Sequence, residues 1–162
     1  MDLAGLQDWL DRMDRAVTEG DFADYAARVV LPFALETRTA TLSVASLAEL
    51  RAGFDSWRQM LAAQRVTHSV RRATDVRRIG PDSVRGSFDS YLLAGAIPVV
   101  PPMGGTVDLH RDEAGLWRAT RIVTEMANAR WPIDLPRPAR RAGASTPFAD
   151  GPMPRPDTRG DD

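Results

Sequence analysis

The first side chains to weigh are those that can move a proton near neutral pH, and the chain has two histidines, His68 and His110. Cysteine and lysine are both absent. Their absence excludes a thiolate nucleophile, a Schiff-base lysine and the lysine of a phosphate-binding loop. A neutral imidazole can give or take a proton at physiological pH. His68 is therefore the leading candidate for a general acid or base.

His68 lies in a run of alternating residue types, between Val66 and Val70. If these valines face inward, the histidine is the only polar side chain that this strand directs into the protein. The alternative is a structural histidine bonded to a backbone carbonyl. His110 stands next to a turn, and we expect it to be exposed.

Helical spacing prevails up to about Gln64. A first helix is predicted by an apolar stripe at intervals of four and three residues, formed by Leu6, Leu10, Met13 and Val17. Gly20 ends this helix, and Asp21 can cap a short second helix that Pro32 ends. A third helix begins at a capping box, Ser46–Glu49. Its apolar face consists of Leu47, Leu50, Phe54, Trp57 and Leu61.

Strand patterns follow these helices. A short strand is predicted at 33–39, and residue types alternate with a period of two after Gln64. The other predicted strands are 66–79, which we expect to bend in its middle, and 84–93, 106–110 and 117–126. Helices followed by a strand meander predict an α+β fold. We expect a curved antiparallel sheet wrapped around the N-terminal helices, a cystatin-like roll that encloses a cone-shaped pocket.

Composition bounds the domain organisation and the partners. A chain of 162 residues with 43% hydrophobic content suits one domain, which we place at 1–131. Residues 132–162 are rich in proline and arginine and are predicted to form a disordered tail. No apolar run approaches the roughly 18 residues of a membrane span, and the N-terminus lacks a secretory pattern. We therefore expect a cytoplasmic protein with no membrane partner.

Charge argues against a nucleic-acid partner. The net charge of -1 supplies no field that would attract a polyanion. A local basic patch could still form from Arg71, Arg72, Arg77, Arg78 and Arg85. Without a nucleic-acid-binding motif beside them, we interpret these arginines as a solvated face of the sheet.

The order of elements and three short segments carry a family resemblance. Thr18–Phe22 is similar to a helix-to-helix turn, and Val66–His68 is similar to a strand on which dehydratase-like proteins carry a histidine. Asp108–His110 and Gly115–Arg118 are similar to a final hairpin. Over residues 6–131 the chain thus resembles the SnoaL-like branch of the nuclear transport factor 2-like superfamily, which also holds scytalone dehydratase and ketosteroid isomerase.

The resemblance implies a cone that admits a small apolar or aromatic molecule, and acid–base chemistry that needs no metal or organic cofactor. It makes His68 the general acid or base and puts Asp108 where dehydratase-like members carry a ligand-contacting amide. An exposed strand position is the alternative for Asp108. A phenol opposite His68 would be Tyr91, although the register of its strand decides whether Tyr91 and Asp89 face inward or outward. The pocket wall would consist of Met13, Val17, Phe33, Phe54 and Trp57, each of which also fits an ordinary core position.

Other positions depart from the family pattern. The base of ketosteroid isomerase would fall near Thr37 and its oxyanion phenol near Met13, while a dehydratase-like aspartate would fall near Thr18. None of these side chains can do that chemistry. Two interpretations therefore stay open: a dehydratase, isomerase or cyclase, and a non-catalytic ligand-binding or dimeric scaffold module. The incomplete catalytic set favours the second.

The segment 95–105 is rich in proline and glycine, yet apolar. It could form a flap over the mouth of the cone, with Gly104 and Gly105 as a hinge. It could also be a dimer contact, because a long exposed apolar loop favours a partner, or a loop packed on its own domain. A homodimer is therefore expected.

Overall fold

The computed structural model describes residues 1–128, so the predicted tail at 132–162 lies outside the described residues. Three helices and seven strands follow one another along this part of the chain. They are α1 (Leu3–Glu19), α2 (Phe22–Ala27), β1 (Val29–Glu36), β2 (Thr41–Val44), α3 (Leu47–Ala63), β3 (His68–Gly80), β4 (Ser83–Ala94), β5 (Ile97–Pro98), β6 (Met103–Arg111) and β7 (Trp117–Thr124). None of these helices is long and apolar enough to cross a bilayer.

The strands form one curved sheet in the order β2-β1-β7-β6-β4-β3, with β5 beside β4. The α+β class and the sheet wrapped on N-terminal helices are confirmed. The expectation of a purely antiparallel sheet needs one correction, because β1 and β7 run parallel. β7 returns beside β1 only after a crossover through the rest of the domain, and such a long connection permits parallel pairing.

α1 is held closely against the inner face of this sheet. The Asp2 carboxylate caps it by accepting from the Gly5 N–H at 2.9 Å. The predicted stripe is buried on Phe33, Val107 and Leu109. Gly86 of β4 makes the close approach possible, since a Cβ there would lie 2.6 Å from the Leu6 methyl carbons.

The predicted second helix is shorter than expected. α2 is capped by Asp21, as predicted, but it ends at Ala27 rather than near Pro32. Pairing with β7 overrides the helical spacing, because the Ala119 N–H donates to the Arg28 carbonyl at 2.7 Å. Pro32 lies within β1, where the β1–β7 register shifts, so its missing N–H disturbs an already irregular ladder.

A glutamine of α1 fixes the long strand β3, whose register on β4 shifts between Ala73 and Asp75. The irregularity expected in the middle of this strand is therefore confirmed. The Gln7 side chain donates to the Arg71 carbonyl and accepts from the Ala73 N–H, both at 2.8 Å. These two bonds set how β3 lies across α1, and they place the Arg71 side chain over that helix.

Candidate functional site

A cavity of about 170 Å³ lies between the helices and the inner face of the sheet. An enclosed apolar cavity of about 150 Å³ suffices for a benzene molecule, so this one matches a ligand of about one ring. All five residues predicted for the pocket wall line it: Met13, Val17, Phe33, Phe54 and Trp57. Its polar lining consists of Asp14, Tyr25, Ser69, Arg71, Ser90 and Thr124.

The centre of the polar wall is an ion pair between Arg71 of β3 and Asp14 of α1. The Arg71 Nε and Nη2 donate to the same oxygen, Asp14 Oδ1, at 3.0 and 2.7 Å. Both side chains are largely buried, with exposures of 15% and 14%. Burial alone would lower the pKa of Arg71, but the charge and hydrogen bonds of Asp14, together with the smaller effects of Tyr25 and Asp11, outweigh burial and raise it. The guanidinium is therefore a permanent cation.

This ion pair leaves hydrogen-bonding capacity unused. Asp14 Oδ2 is buried, and among residues 1–128 no group donates to it. Arg71 Nη1 likewise has no hydrogen-bond partner in the described part of the chain, and its guanidinium lies 5.7 Å from the centre of the Phe88 ring. Buried polar groups are nearly always satisfied, so the buried oxygen of Asp14 calls for an explanation.

Tyr25 of α2 adds a phenol to the same wall. Its ring centre lies 5.0 Å from that of Phe54. Burial raises the pKa of Tyr25, the Arg71 charge lowers it, and the Asp14 charge raises it again. The net shift is upward, so the hydroxyl keeps its proton at neutral pH. A carboxylate, a guanidinium and a phenol proton donor thus line the same cavity, and the two charges act on the phenol.

The predicted catalytic residue His68 does not line this cavity. It is the exposed first residue of β3, and its Nδ1 lies 2.9 Å from the Thr67 hydroxyl. The neighbouring Val70 is exposed as well, whereas Ser69 and Arg71 line the cavity. The alternation within β3 was therefore recognised correctly, but the inward orientation considered for His68 needs correction, because the side of β3 that carries His68 and Val70 faces outward. Val66, which precedes the strand, packs against the cluster around Leu92 and Met126.

Asp108 also lies outside the cavity, on the outer face of the sheet. Arg85 Nε and Nη2 donate to its two oxygens at 2.6 and 2.7 Å. Arg121 approaches Asp108 Oδ2 at 3.6 Å and also pairs with Glu36. The carboxylate is thus occupied by arginines from two neighbouring strands, and it is 14% exposed. Neither the ligand-contacting position nor the exposed alternative describes it, because it is covered by its ion pairs on the outer face.

Tyr91 and His110 are likewise remote from the cavity. Tyr91 pairs with Val70 across β3 and β4 on the outer face, so the open question of register is answered as outward. His110 is exposed, as expected, and its Nδ1 lies 3.1 Å from the Ser83 hydroxyl. The three residues predicted as catalytic are therefore not brought together with one another at the cavity.

The segment 95–105 packs partly on its own domain. Val100 and Met103 contact a small cluster built around Leu92 and Met126, and Met103 also lines the cavity. Ile97, by contrast, is 72% exposed. The packed-loop alternative accounts for the inner part of the segment, while the homodimer stays a prediction.

Sequence reasoning missed the ion pair because it interpreted Arg71 as part of a solvated face of the sheet and did not select Asp14 as a candidate. Asp14 follows Leu10 by four residues and precedes Val17 by three. That spacing puts it at the edge of the apolar stripe, which is the available signal. Arg71 shares its strand face with Ser69 and Ala73, a face too polar for hydrophobic alternation to identify as inner. Asp14 also stands one turn before Thr18, the position inferred for a dehydratase-like aspartate.

Comparisons with known proteins identify the fold. No family model matches the sequence, and no curated protein matches it. Solved structures do match. A nuclear transport factor 2-like protein of unknown function from Shewanella oneidensis has a TM-score of 0.57 at 11% identity, covering 72% of this chain and 92% of that one. A ketosteroid isomerase-like protein from Erwinia carotovora atroseptica has a TM-score of 0.53 at 14% identity, covering 76% and 94%.

A domain of unknown function with a cystatin-like fold, from Nostoc punctiforme, aligns with a TM-score of 0.55 at 12% identity, over 79% of this chain and 78% of that one. The chain therefore has the fold of nuclear transport factor 2-like and ketosteroid isomerase-like proteins. At such identities the likeness concerns the fold alone, because folds of this kind carry many functions.

Proposed function

We propose that the protein binds a small, mostly apolar molecule of about one ring in the interior cavity, with the polar end of the ligand against Asp14, Arg71 and Tyr25. The observation that carries this proposal is the Arg71–Asp14 ion pair, which lies in the wall of a mostly apolar cavity and keeps unused hydrogen-bonding capacity. Ligand sites combine such apolar walls with a few convergent polar groups. The resemblance to the SnoaL-like branch supports the same proposal.

Filling the cavity tests this proposal. Ser90 lines the cavity, whereas Ser87, three residues earlier on the same strand, faces outward. We expect acetophenone, which has one ring and one carbonyl, to give saturable heat in titration calorimetry of the wild type. S90L should weaken this binding at least about tenfold by occupying the space, and the matched variant S87L should leave it unchanged. Absence of saturable binding, or equal binding by S90L, would overturn the proposal.

A second candidate function is proton transfer next to a carbonyl. Arg71 fixes one oxygen of Asp14 while the other has no donor within residues 1–128, and Tyr25 supplies a phenol that stays protonated. Asp14 could therefore act as a general base, and Tyr25 and Arg71 could stabilise negative charge on a nearby oxygen. In this scheme Asp14 takes a proton from the carbon next to the carbonyl, and Tyr25 and Arg71 stabilise the enolate oxygen. The proton then returns to the same carbon.

Hydrogen exchange separates this catalysis from simple binding. In deuterium oxide, the methyl protons of acetophenone should exchange faster with the wild type than with D14N, as measured by the loss of the methyl NMR signal. Asparagine keeps the shape of the side chain but is no base, so binding should persist. Equal exchange rates for the wild type, D14N and buffer would leave a binding protein without this activity.

A further inference from the structure

The charged groups of the cavity lining indicate which ligands it selects. Among the residues that line the cavity, the charged ones are Asp14 and Arg71, and they neutralise each other. A ligand carboxylate that approached Arg71 would meet the Asp14 carboxylate on the same guanidinium. It would also lose its hydration in an apolar space, which is costly for an ion without a free counter-charge.

The surroundings of the pair add to this bias. The charge of Asp11, one turn before Asp14 on α1, also acts on Arg71. Asp14 and Ser69 also line a second groove, which carries the charged residues Asp11, Arg15 and Glu19. A guanidinium paired with Asp14 and close to Asp11 is a poor anion receptor, although its N–H groups remain hydrogen-bond donors.

The open hydrogen-bonding groups specify the rest of the ligand. Arg71 Nη1 and the Tyr25 hydroxyl can each donate, and neither has a hydrogen-bond partner in the described part of the chain. Asp14 Oδ2 can accept and has no donor there. Two donors suit a carbonyl oxygen, and one acceptor suits a hydroxyl. A ligand that carries both a carbonyl and a hydroxyl would satisfy the open groups of Asp14, Arg71 and Tyr25.

We propose that the cavity selects an uncharged ligand of about one ring that carries both a carbonyl and a hydroxyl group, and discriminates against carboxylates. This inference rests on the proposed function and specifies its ligand class. It also makes the Asp14 charge a determinant of specificity. Neutralising Asp14 leaves Arg71 as an unpaired cation in an apolar wall, and such a cation favours an anion.

Four ring-sized probes test the inference: acetophenone, 3-hydroxyacetophenone, benzoate and 3-hydroxybenzoate. The wild type should bind 3-hydroxyacetophenone at least about tenfold more tightly than the isosteric 3-hydroxybenzoate. It should also prefer 3-hydroxyacetophenone to acetophenone several-fold, because only the hydroxyl satisfies Asp14. D14N should bind 3-hydroxybenzoate more tightly than 3-hydroxyacetophenone, and its preference for 3-hydroxyacetophenone over acetophenone should be smaller than that of the wild type. The matched variant D108N, which alters the Arg85–Asp108 pair of the outer face, should change neither.

The outcomes separate this inference from the proposed function. If no probe binds the wild type, both the binding proposal and the inference about the ligand class are wrong. If acetophenone binds but 3-hydroxybenzoate binds as tightly as 3-hydroxyacetophenone, the binding proposal stands and the selection for uncharged ligands is wrong. If acetophenone equals 3-hydroxyacetophenone, the hydroxyl requirement is wrong. These comparisons use the wild-type protein, so they test the ligand class even if D14N fails to fold.

Discussion

Two arginine–aspartate pairs occupy opposite faces of the same sheet, and they differ in how completely they use their atoms. On the outer face, Arg85 and Asp108 form two parallel bonds, with Arg121 nearby. On the inner face, Arg71 directs two bonds to one oxygen of Asp14 and leaves the other oxygen without a donor in the described chain. A saturated pair has little left to offer a ligand, whereas an unsaturated pair beside a cavity does.

Removing each aspartate in turn should produce the largest difference between the faces. D14A leaves the guanidinium of Arg71, which is 15% exposed, without its partner and should cost about 3 kcal/mol of unfolding free energy. D108A leaves arginines that are about one third exposed and still solvated, so its cost should be about 1 kcal/mol. Urea unfolding measures both values. Equal losses would mean that the inner pair is no more shielded from water than the outer one.

A smaller effect should follow from loosening the support of the inner pair without touching it. Q7M removes the two bonds from the Gln7 side chain to the β3 backbone beside Arg71. The expected loss is about 2 kcal/mol of unfolding free energy, together with weaker acetophenone binding. R12M, at an exposed position on the same helix, is the matched control. If Q7M kept full affinity, the glutamine would not be positioning Arg71.

The smallest expected effect on stability concerns the two tyrosines, of which Tyr25 lines the cavity and Tyr91 lies on the outer face of the sheet. In Y91F the remaining tyrosine is Tyr25, whose pKa lies above the ordinary 10.0 because of its burial. The folded protein therefore holds this proton more tightly than the unfolded chain does. Stability should be unaffected below about pH 10 and should fall as the pH rises toward the folded-state pKa. Ultraviolet absorbance of phenolate measures the midpoint, and a midpoint at or below 10.0 would contradict a buried phenol.

The same contrast explains what could be predicted from the sequence. Apolar periodicity identifies α1 and α3, and with them four of the five residues predicted for the cavity wall, because burying those stripes is what folds the chain. The fifth, Phe33, lies on β1. It cannot identify Arg71, since a charged side chain on an inner strand face is stabilised by one distant partner, Asp14, and not by a pattern. Resemblance to enzymes favoured His68 for its chemistry, but His68 and Val70 lie on the outer face of β3.

The most direct test follows the arginine Nε–H resonances of the wild-type protein during titration with acetophenone, with R71Q and R85Q used to assign the two signals. Both Nε groups donate to an aspartate, Arg71 at the cavity and Arg85 on the outer face. We predict a saturable shift of the Arg71 signal, with the Arg85 signal unchanged. No shift at Arg71, or equal shifts at both arginines, would contradict a ligand site at the inner pair.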